Sequence, residues 1–279
     1  MFDIVISIVT FNNNLQTLKK AISSCLATKL NVKLVVVDNS RNLSIRQLCD
    51  EMRIEYLDTE RNVGFGAGQN IAIRKYVDHT HYHAIVNPDI YFNKGTLEAL
   101  YLFAQSHPDI GLLMPKIVLP DNSLQYMCKL LPNPLDFAVR RFIPLMPTLL
   151  AFFRRRDDRY TLRFADHNKE MEAPFLSGCF MFIRAKALKE VDMFDERFFM
   201  YLEDVDLCRR ILGAYRNVYY PGVSVIHECE RGSTKNLALL RHHIISAIKY
   251  FNKWGWLIDR ERVRINKEAL QRLQAERNE

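Results

Sequence analysis

The sequence predicts an α/β fold built on a mostly parallel sheet flanked by helices, and three observations carry that prediction. Short β-branched runs alternate with segments of helical spacing through the first half of the chain. The runs end in polar residues, Asn12, Asp38, Asn62 and Asp89 in succession, so side chains collect at the carboxyl ends of the strands, where sheets of this kind bind ligands. The composition, 48% hydrophobic and 25% charged over 279 residues, is that of a globular chain with ample material for one large core.

The elements follow in order. Ile4 to Thr10 reads as a strand, and Leu15, Leu18, Ala21, Ile22 and Cys25 recur at helical spacing after it. Val32 to Val37 is a second strand, ending in Asp38-Asn39-Ser40. Next come a helix over Ile45 to Met52, a strand over Ile54 to Leu57, and a glycine-rich turn from Asn62 to Gly68 that opens a helix through Tyr76. His83 to Val86 is a strand ending in Asn87-Pro88-Asp89, Gly95 to Ser106 a helix and Ile110 to Val118 a strand. A basic, proline-containing insertion occupies about residues 130 to 165. Beyond it lie a buried strand from Phe175 to Ile183, helices over Ala185 to Val191 and Asp204 to Ala214, and a strand from Val218 to Ile226 that ends at His227. Helices at about Thr234 to Trp254 and Leu257 to Glu276 finish the chain, the last alternating in sign and solvated on its outer side. This divides the chain into one domain over residues 1–235, insertion included, and a C-terminal helical extension over 236–279.

The net charge of +7 is unevenly placed. Arg140, Arg141, Arg154, Arg155, Arg156, Arg159 and Arg163 flank the apolar run Phe142 to Phe153, which is too short for a bilayer span of about 20 residues and carries two prolines. Arginines beside Phe and Leu suit a segment lying on an anionic membrane surface, with a homo-oligomeric interface or a buried loop as the alternatives. The six cysteines form no Cys-x-x-Cys pair, and no basic region precedes the apolar run Ile4 to Val9. Reduced thiols in a cytoplasmic protein are the expectation.

Glu203 and Asp204 stand where an aromatic segment, Phe198 to Leu202, turns into a helix whose Leu207, Ile211 and Leu212 share one face. A general base can sit at such a rim; an N-cap for the helix is the structural alternative. Gly64-Phe65-Gly66-Ala67-Gly68 departs from G-x-G-x-x-G, having Gln69 or Ile71 at the last position, and it follows the third strand, which argues against a dinucleotide-binding dehydrogenase. The turn serves either as a tight bend or as a set of amides facing a phosphate. Asp38 can accept hydrogen bonds from a nucleobase or ribose, or cap a helix. Asp89 offers a hard oxygen to Mg²⁺ or Mn²⁺ held mainly by phosphates and water, or is a turn residue after proline.

The order of motifs adds specificity. Ser7-Ile8-Val9-Thr10-Phe11-Asn12, Val37-Asp38-Asn39, Arg61-Asn62-x-Gly64-x-Gly66-x-Gly68-x-Asn70, Asn87-Pro88-Asp89, Ser177-Gly178, Glu203-Asp204 and His227 together resemble the inverting family 2 glycosyltransferases of the GT-A fold, whose sheet is Rossmann-like, over about residues 3 to 235. Within that family the chain is most similar to bacterial rhamnosyltransferases that use dTDP-L-rhamnose to build cell-surface polysaccharide. It departs from the usual Asp-x-Asp in having Asn87-Pro88-Asp89, a single carboxylate. The resemblance implies Asp204 as catalytic base with Glu203 as fallback, and Asp89 with His227 as holders of Mg²⁺ or Mn²⁺. It implies a nucleotide pocket lined by Thr10, Asn12, Asp38, Asn39, Arg61, Asn62, Asn87 and Asp89, with Ser177 and Gly178 on the sugar and acceptor side. The implied partners are a nucleotide-sugar donor and a glycan or polyprenyl-linked acceptor, with no nucleic acid, at the inner face of the cytoplasmic membrane. The alternatives are a UDP-sugar donor or a catalytically inactive glycan-binding scaffold. A nucleotidyltransferase would want a glycine- and lysine-rich loop near the N-terminus, which Thr10-Phe11-Asn12-Asn13 is not.

Overall fold

The computed structural model describes residues 1–137, 150–229 and 237–278. Its first half runs β1 (Phe2–Thr10), α1 (Leu15–Leu26), β2 (Val32–Asp38), α2 (Leu43–Glu51), β3 (Glu55–Asp58), α3 (Phe65–Tyr76), β4 (Thr80–Val86), β5 (Ile90–Phe92), α4 (Thr96–Ser106) and β6 (Ile110–Val118). The second half runs β7 (Cys128–Lys129), α5 (Leu150–Tyr160), β8 (Met171–Glu172), β9 (Phe175–Leu176), β10 (Phe180–Arg184), α6 (Ala185–Glu190), α7 (Glu203–Ile211), β11 (Arg216–His227), α8 (Leu237–Trp254) and α9 (Arg260–Asn278). The main sheet has the order β3-β2-β1-β4-β10-β6-β11-β5, with β8 paired to β11; β7 and β9 form a separate ribbon.

β1 is buried from Ile4 to Thr10, as a strand covered on both faces must be, and its continuous apolar run follows from that. It lies parallel to both β2 and β4, with Thr10 opposite Asp38 and Ser7 opposite Ile85. The chain winds outward through β2 and β3 and then returns to the other side of β1, so a crevice opens beyond the carboxyl ends of β1 and β4. The side chain of Asn14 caps α1 by accepting from the amides of Gln16 and Thr17 at 2.8 and 3.2 Å, which turns the chain sharply after that strand end.

Parallel ladders carry the greater part of the pairing, as predicted, and antiparallel ones join β10 to β4 and β6 and join β11 to β5 and β8. The strand expected from Phe175 to Ile183 is two strands, β9 and β10. The segment Ser177-Gly178-Cys179 between them leaves the ladder because its backbone bonds elsewhere: the Gly178 amide donates to Asp204 and the Cys179 carbonyl accepts from the Asn87 amide. All six cysteines are free thiols, and all but Cys229 are buried.

The last helix begins at Arg260, three residues later than its apolar pattern suggested. Asp259 sets the start by accepting from the Arg262 amide at 2.9 Å, while Leu257 and Ile258 remain exposed. The C-terminal helices pack against α7 through buried charge. Arg209 makes two hydrogen bonds of 2.7 Å to Asp259 and lies 4.1 Å from the centre of the Trp254 ring, while the Trp254 indole and the Lys253 ammonium both donate to Asp206. No helix among the described residues is long and apolar enough to cross a membrane.

Candidate active site

The loop from Phe198 to Leu202 enters α7 through two consecutive residues of positive φ, Tyr201 at 68° and Leu202 at 65°. Non-glycine residues adopt this conformation only where surrounding contacts impose it, so the entry angle of α7 is fixed at a cost. Leu202 holds the N-cap position, and Glu203 and Asp204 are the first two helical residues. The capping alternative for the acidic pair therefore does not describe them. Asp204 instead accepts from the Val205 amide through Oδ1 and from the Gly178 amide through Oδ2, both at 2.9 Å. A Cβ on Gly178 would lie 3.0 Å from Asp204 Cβ and 3.2 Å from Oδ2, so only glycine lets that amide come so close.

Burial divides the two carboxyls. Desolvation, reinforced by the neighbouring Asp204 charge, raises Glu203 well above the ordinary range, and its Oε2 is buried without a partner. Desolvation also raises Asp204, but the Gly178 amide and the Lys129 charge oppose it. Both carboxyls are therefore raised, Glu203 well above its ordinary value, and only Asp204 has another segment's amide and a nearby cation favouring its charged form.

A cleft of about 390 Å³ opens beside Asp204, lined by Ser177, Lys129, Tyr201 and His243 among others. Ser177, expected on the acceptor side, is therefore brought to Asp204, and Gly178 lies against it. Lys129, Tyr201 and His243 were not singled out from sequence. Lys129 sits on a two-residue strand with no periodicity to mark it, and His243 reaches the cleft from α8, its ring 4.6 Å from that of Phe137, edge to face, and 4.7 Å from the tilted ring of Tyr201.

The remaining predicted residues gather on the rim made by β1 to β4. Asn39 donates to the Gly64 carbonyl and accepts from the Val63 amide, tying the end of β2 to the turn before α3, and Asn62 accepts from the Gly64 amide. Asp38 is fully buried and accepts from the amides of Ser40 and Asn42 and the hydroxyls of Ser40, Thr10 and Tyr56. Its carboxylate thus shapes the loop that follows β2, and the cap of α2 is Asn42. Asn12, with φ of 54°, and Arg61 are exposed at the mouth. The amides before α3 are taken within the chain: Gly64 donates to Asn62, and Phe65 donates to the Phe199 carbonyl at 2.9 Å. The glycine turn is a tight bend here. Gly64 has φ of 90°, and a Cβ on it would stand 2.1 Å from the Phe199 oxygen.

Asp89 and His227 meet, as the sequence suggested. β11 pairs with β5 so that His227 lies opposite Ile90, which brings its Nε2 to 3.3 Å from Asp89 Oδ2. The other ring nitrogen bonds Gln125 Oε1 at 2.8 Å, and the Gln125 amide nitrogen faces the Cys229 sulfur. Gln125 thus holds the ring through Nδ1, and Nε2 is the nitrogen turned toward the Asp89 carboxylate. An oxygen and an imidazole nitrogen with one outer partner fit Mg²⁺ or Mn²⁺ completed by phosphates and water. Glu228 next door is engaged by Thr17 and Lys20, and no group of three or more metal-ligating side chains occurs among the described residues. The Asn87 amide bonds the Cys179 carbonyl, so this pair adjoins the Gly178 turn. Burial raises the Cys179 thiol to about 12, and the nearby Asp89 and Asp204 charges push the same way.

Of the basic segment, residues 138–149 lie outside the described residues, Arg140 and Arg141 with them. Arg156 pairs with Asp136 at 2.6 Å, and Arg163 lies 3.8 Å from Asp158 and over the Tyr126 ring. Arg156 is half-buried, whereas Arg155, Arg159 and Arg163 are exposed.

Sequence and structure comparisons give the class of protein to which this sheet and its polar rim belong. The profile of glycosyl transferase family 2 matches residues 5–192. The chain belongs to that family and is a glycosyltransferase. It is 29% identical over 241 residues to N-acetylglucosaminyl-diphospho-decaprenol L-rhamnosyltransferase of Mycobacterium tuberculosis, covering 79% of this chain and 75% of that one. It is 25% identical over 258 residues to rhamnosyltransferase WbbL of Escherichia coli, covering 89% and 93%. S. aureus TarS residues 1–349 in complex with UDP-GlcNAc superposes with a TM-score of 0.60 at 18% identity, over 96% of this chain and 71% of that one, which shows the shared fold.

Proposed function

We propose that the chain transfers L-rhamnose from dTDP-L-rhamnose, with inversion, to a lipid-linked or growing glycan. The observation that carries this reading is Asp204, an ionisable carboxylate held by two backbone amides at the edge of a cleft. The rhamnosyltransferases among its relatives support the sugar. The donor would lie along the crevice between β1 and β4, with Thr10, Asn12, Asp38, Asn39, Arg61, Asn62 and Asn87 forming its surroundings. The acceptor would enter past Ser177, Lys129 and Tyr201.

In this mechanism Asp204 takes the proton of the acceptor hydroxyl as that oxygen attacks the anomeric carbon from the face opposite the diphosphate. The amides of Gly178 and Val205 fix its orientation, and Lys129 stabilises its charged form. Protonated Glu203 leaves a single negative charge at the helix start. Asp89 and His227 would hold Mg²⁺ or Mn²⁺, which when bound offsets charge on the departing diphosphate. The exposed Arg155 and Arg159 of α5 suit recognition of the acceptor at a membrane surface.

Purified protein incubated with a panel of dTDP- and UDP-sugars tests the donor. Turnover of dTDP-L-rhamnose alone supports the reading, turnover of UDP-sugars alone replaces the donor, and binding without turnover of any sugar nucleotide would make the chain a scaffold.

A further inference from the structure

A second cavity, of about 780 Å³ against about 390 Å³ for the catalytic cleft, lies between α5 and α9 and shares the walls Asp136 and Tyr160 with that cleft. Five cationic side chains line it, Arg155, Arg156 and Arg159 from α5 and Arg262 and Lys267 from α9, against one carboxylate, Asp136. Arg156 is matched by Asp136 and also donates to Asn133. Arg155, Arg159 and Lys267 are exposed and make no ion pair among the described residues, so the excess charge faces the cavity.

Arg262 adds an independent observation. It is only 7% exposed, and its Nη1 is buried with no hydrogen-bond partner. The carboxylate nearest to it, Asp259, stands 4.0 Å away and already accepts two hydrogen bonds from Arg209 and one from the Arg262 amide. A desolvated guanidinium nitrogen with nothing to donate to is rare in a folded interior, and a ligand oxygen in the adjoining cavity would satisfy it. Arginine forks match phosphate oxygens in pairs, which favours a phosphorylated ligand over a simple carboxylate. Leu135 and Val263 are exposed in the same wall, at 53% and 60%, and Leu270 lies beside them, so the cavity offers apolar surface next to its charge.

We infer that this cavity is the seat of a diphosphate ester with an apolar tail, the anchor of the acceptor, whose sugar would then reach across Tyr160 and Asp136 to Asp204. The inference rests on the glycosyl-transfer reading for the sugar's destination. The crevice at the ends of β1 to β4 is lined by none of these cations, so the cavity is separate from the donor surroundings.

Farnesyl diphosphate in detergent micelles is a suitable probe, titrated calorimetrically into the native chain and into an Arg155→Ala/Arg159→Ala/Lys267→Ala variant, with saturating dTDP present to fill the donor crevice. All three changes are at exposed positions, so the fold should persist. The expected result is saturable binding by the native chain, weakened about tenfold or more in the variant, with hydrolysis of the donor sugar nucleotide unchanged. Equal binding by both proteins would overturn the inference, as would competition by dTDP. Inorganic pyrophosphate binding as tightly as the prenyl ester would remove the role of the tail. Binding to phosphatidylglycerol vesicles without any response to the prenyl ester would make the cavity a membrane contact. Donor turnover is read separately: its absence beside intact prenyl diphosphate binding would sink the transferase reading and leave the anion site standing.

Discussion

Replacing Asp204 with Asn removes the proposed base while leaving nearly the same shape, and the structure says what each atom then does. One oxygen survives to accept from either Gly178 or Val205, and the new amide group must face the other backbone N–H, donor against donor. Leaving one buried amide unpaired costs about 1 to 3 kcal/mol. Against a typical total stability of about 5 to 15 kcal/mol the protein stays folded, so its kinetics can be read. A positioned general base contributes about 10² to 10⁴ in rate, and kcat for transfer should fall by that factor while the donor dissociation constant changes little. The assay is release of nucleoside diphosphate in the presence of acceptor, with donor affinity measured by titration. A kcat within about threefold of the native value would refute the assignment, and loss of activity in Glu203→Gln instead would move the base one residue back.

Further outcomes follow from the same contacts. Gly178→Ala should press on Asp204 Oδ2, lowering stability by about 1 to 3 kcal/mol and kcat by about tenfold or more, measured by urea unfolding and by transfer rate. Arg209→Ala should cost about 3 to 5 kcal/mol because Asp259 is left buried without its partner, and a loss below about 1 kcal/mol would show the pair to be incidental. Chelation should slow transfer and Mg²⁺ or Mn²⁺ restore it, with Asp89→Ala abolishing that response. Both carboxyls at the start of α7 are raised above their ordinary values, 4.5 for Glu203 and 3.8 for Asp204, so the folded chain keeps protons that the unfolded chain releases. The stability they contribute is complete below those values and is lost as pH rises through the raised ones. Glu203→Gln should therefore gain stability relative to the native chain as pH increases, and the acid limb of kcat should lie above pH 3.8.

Much of this arrangement was legible in the sequence because it follows from backbone periodicity. A parallel sheet buries both faces of its strands, so β1, β2 and β6 announce themselves as apolar runs, and strand ends must carry whatever binds. The pairing of Asp89 with His227 came from the family resemblance and not from periodicity, and strand register brings the two to 3.3 Å. What stayed hidden has no period. β5, β7 and β8 are two or three residues long, too short to alternate, and Lys129 is carried on one of them. The break at Ser177-Gly178-Cys179 is invisible in a run that otherwise reads as one strand, because its cause is a carboxylate 26 residues later.

The placement of the base has its cause further along the chain. α7 is buried on two sides: Leu207 and Ile211 face the sheet core, while Asp206 and Arg209 are equally enclosed yet charged. An isolated helix with those residues would read as amphipathic, with Asp206 and Arg209 on its wet face. They are enclosed because α8 and α9 supply Lys253, Trp254, Asp259 and Glu261 as partners for both. The helix that presents Asp204 is thus clamped from behind by the C-terminal helices and from the front by the Gly178 amide. Such a clamp limits the motion of the carboxylate without adding a group to the cleft. A change at Arg209 should therefore reach the reaction through the position of α7, lowering kcat together with stability and leaving the metal response through Asp89 intact.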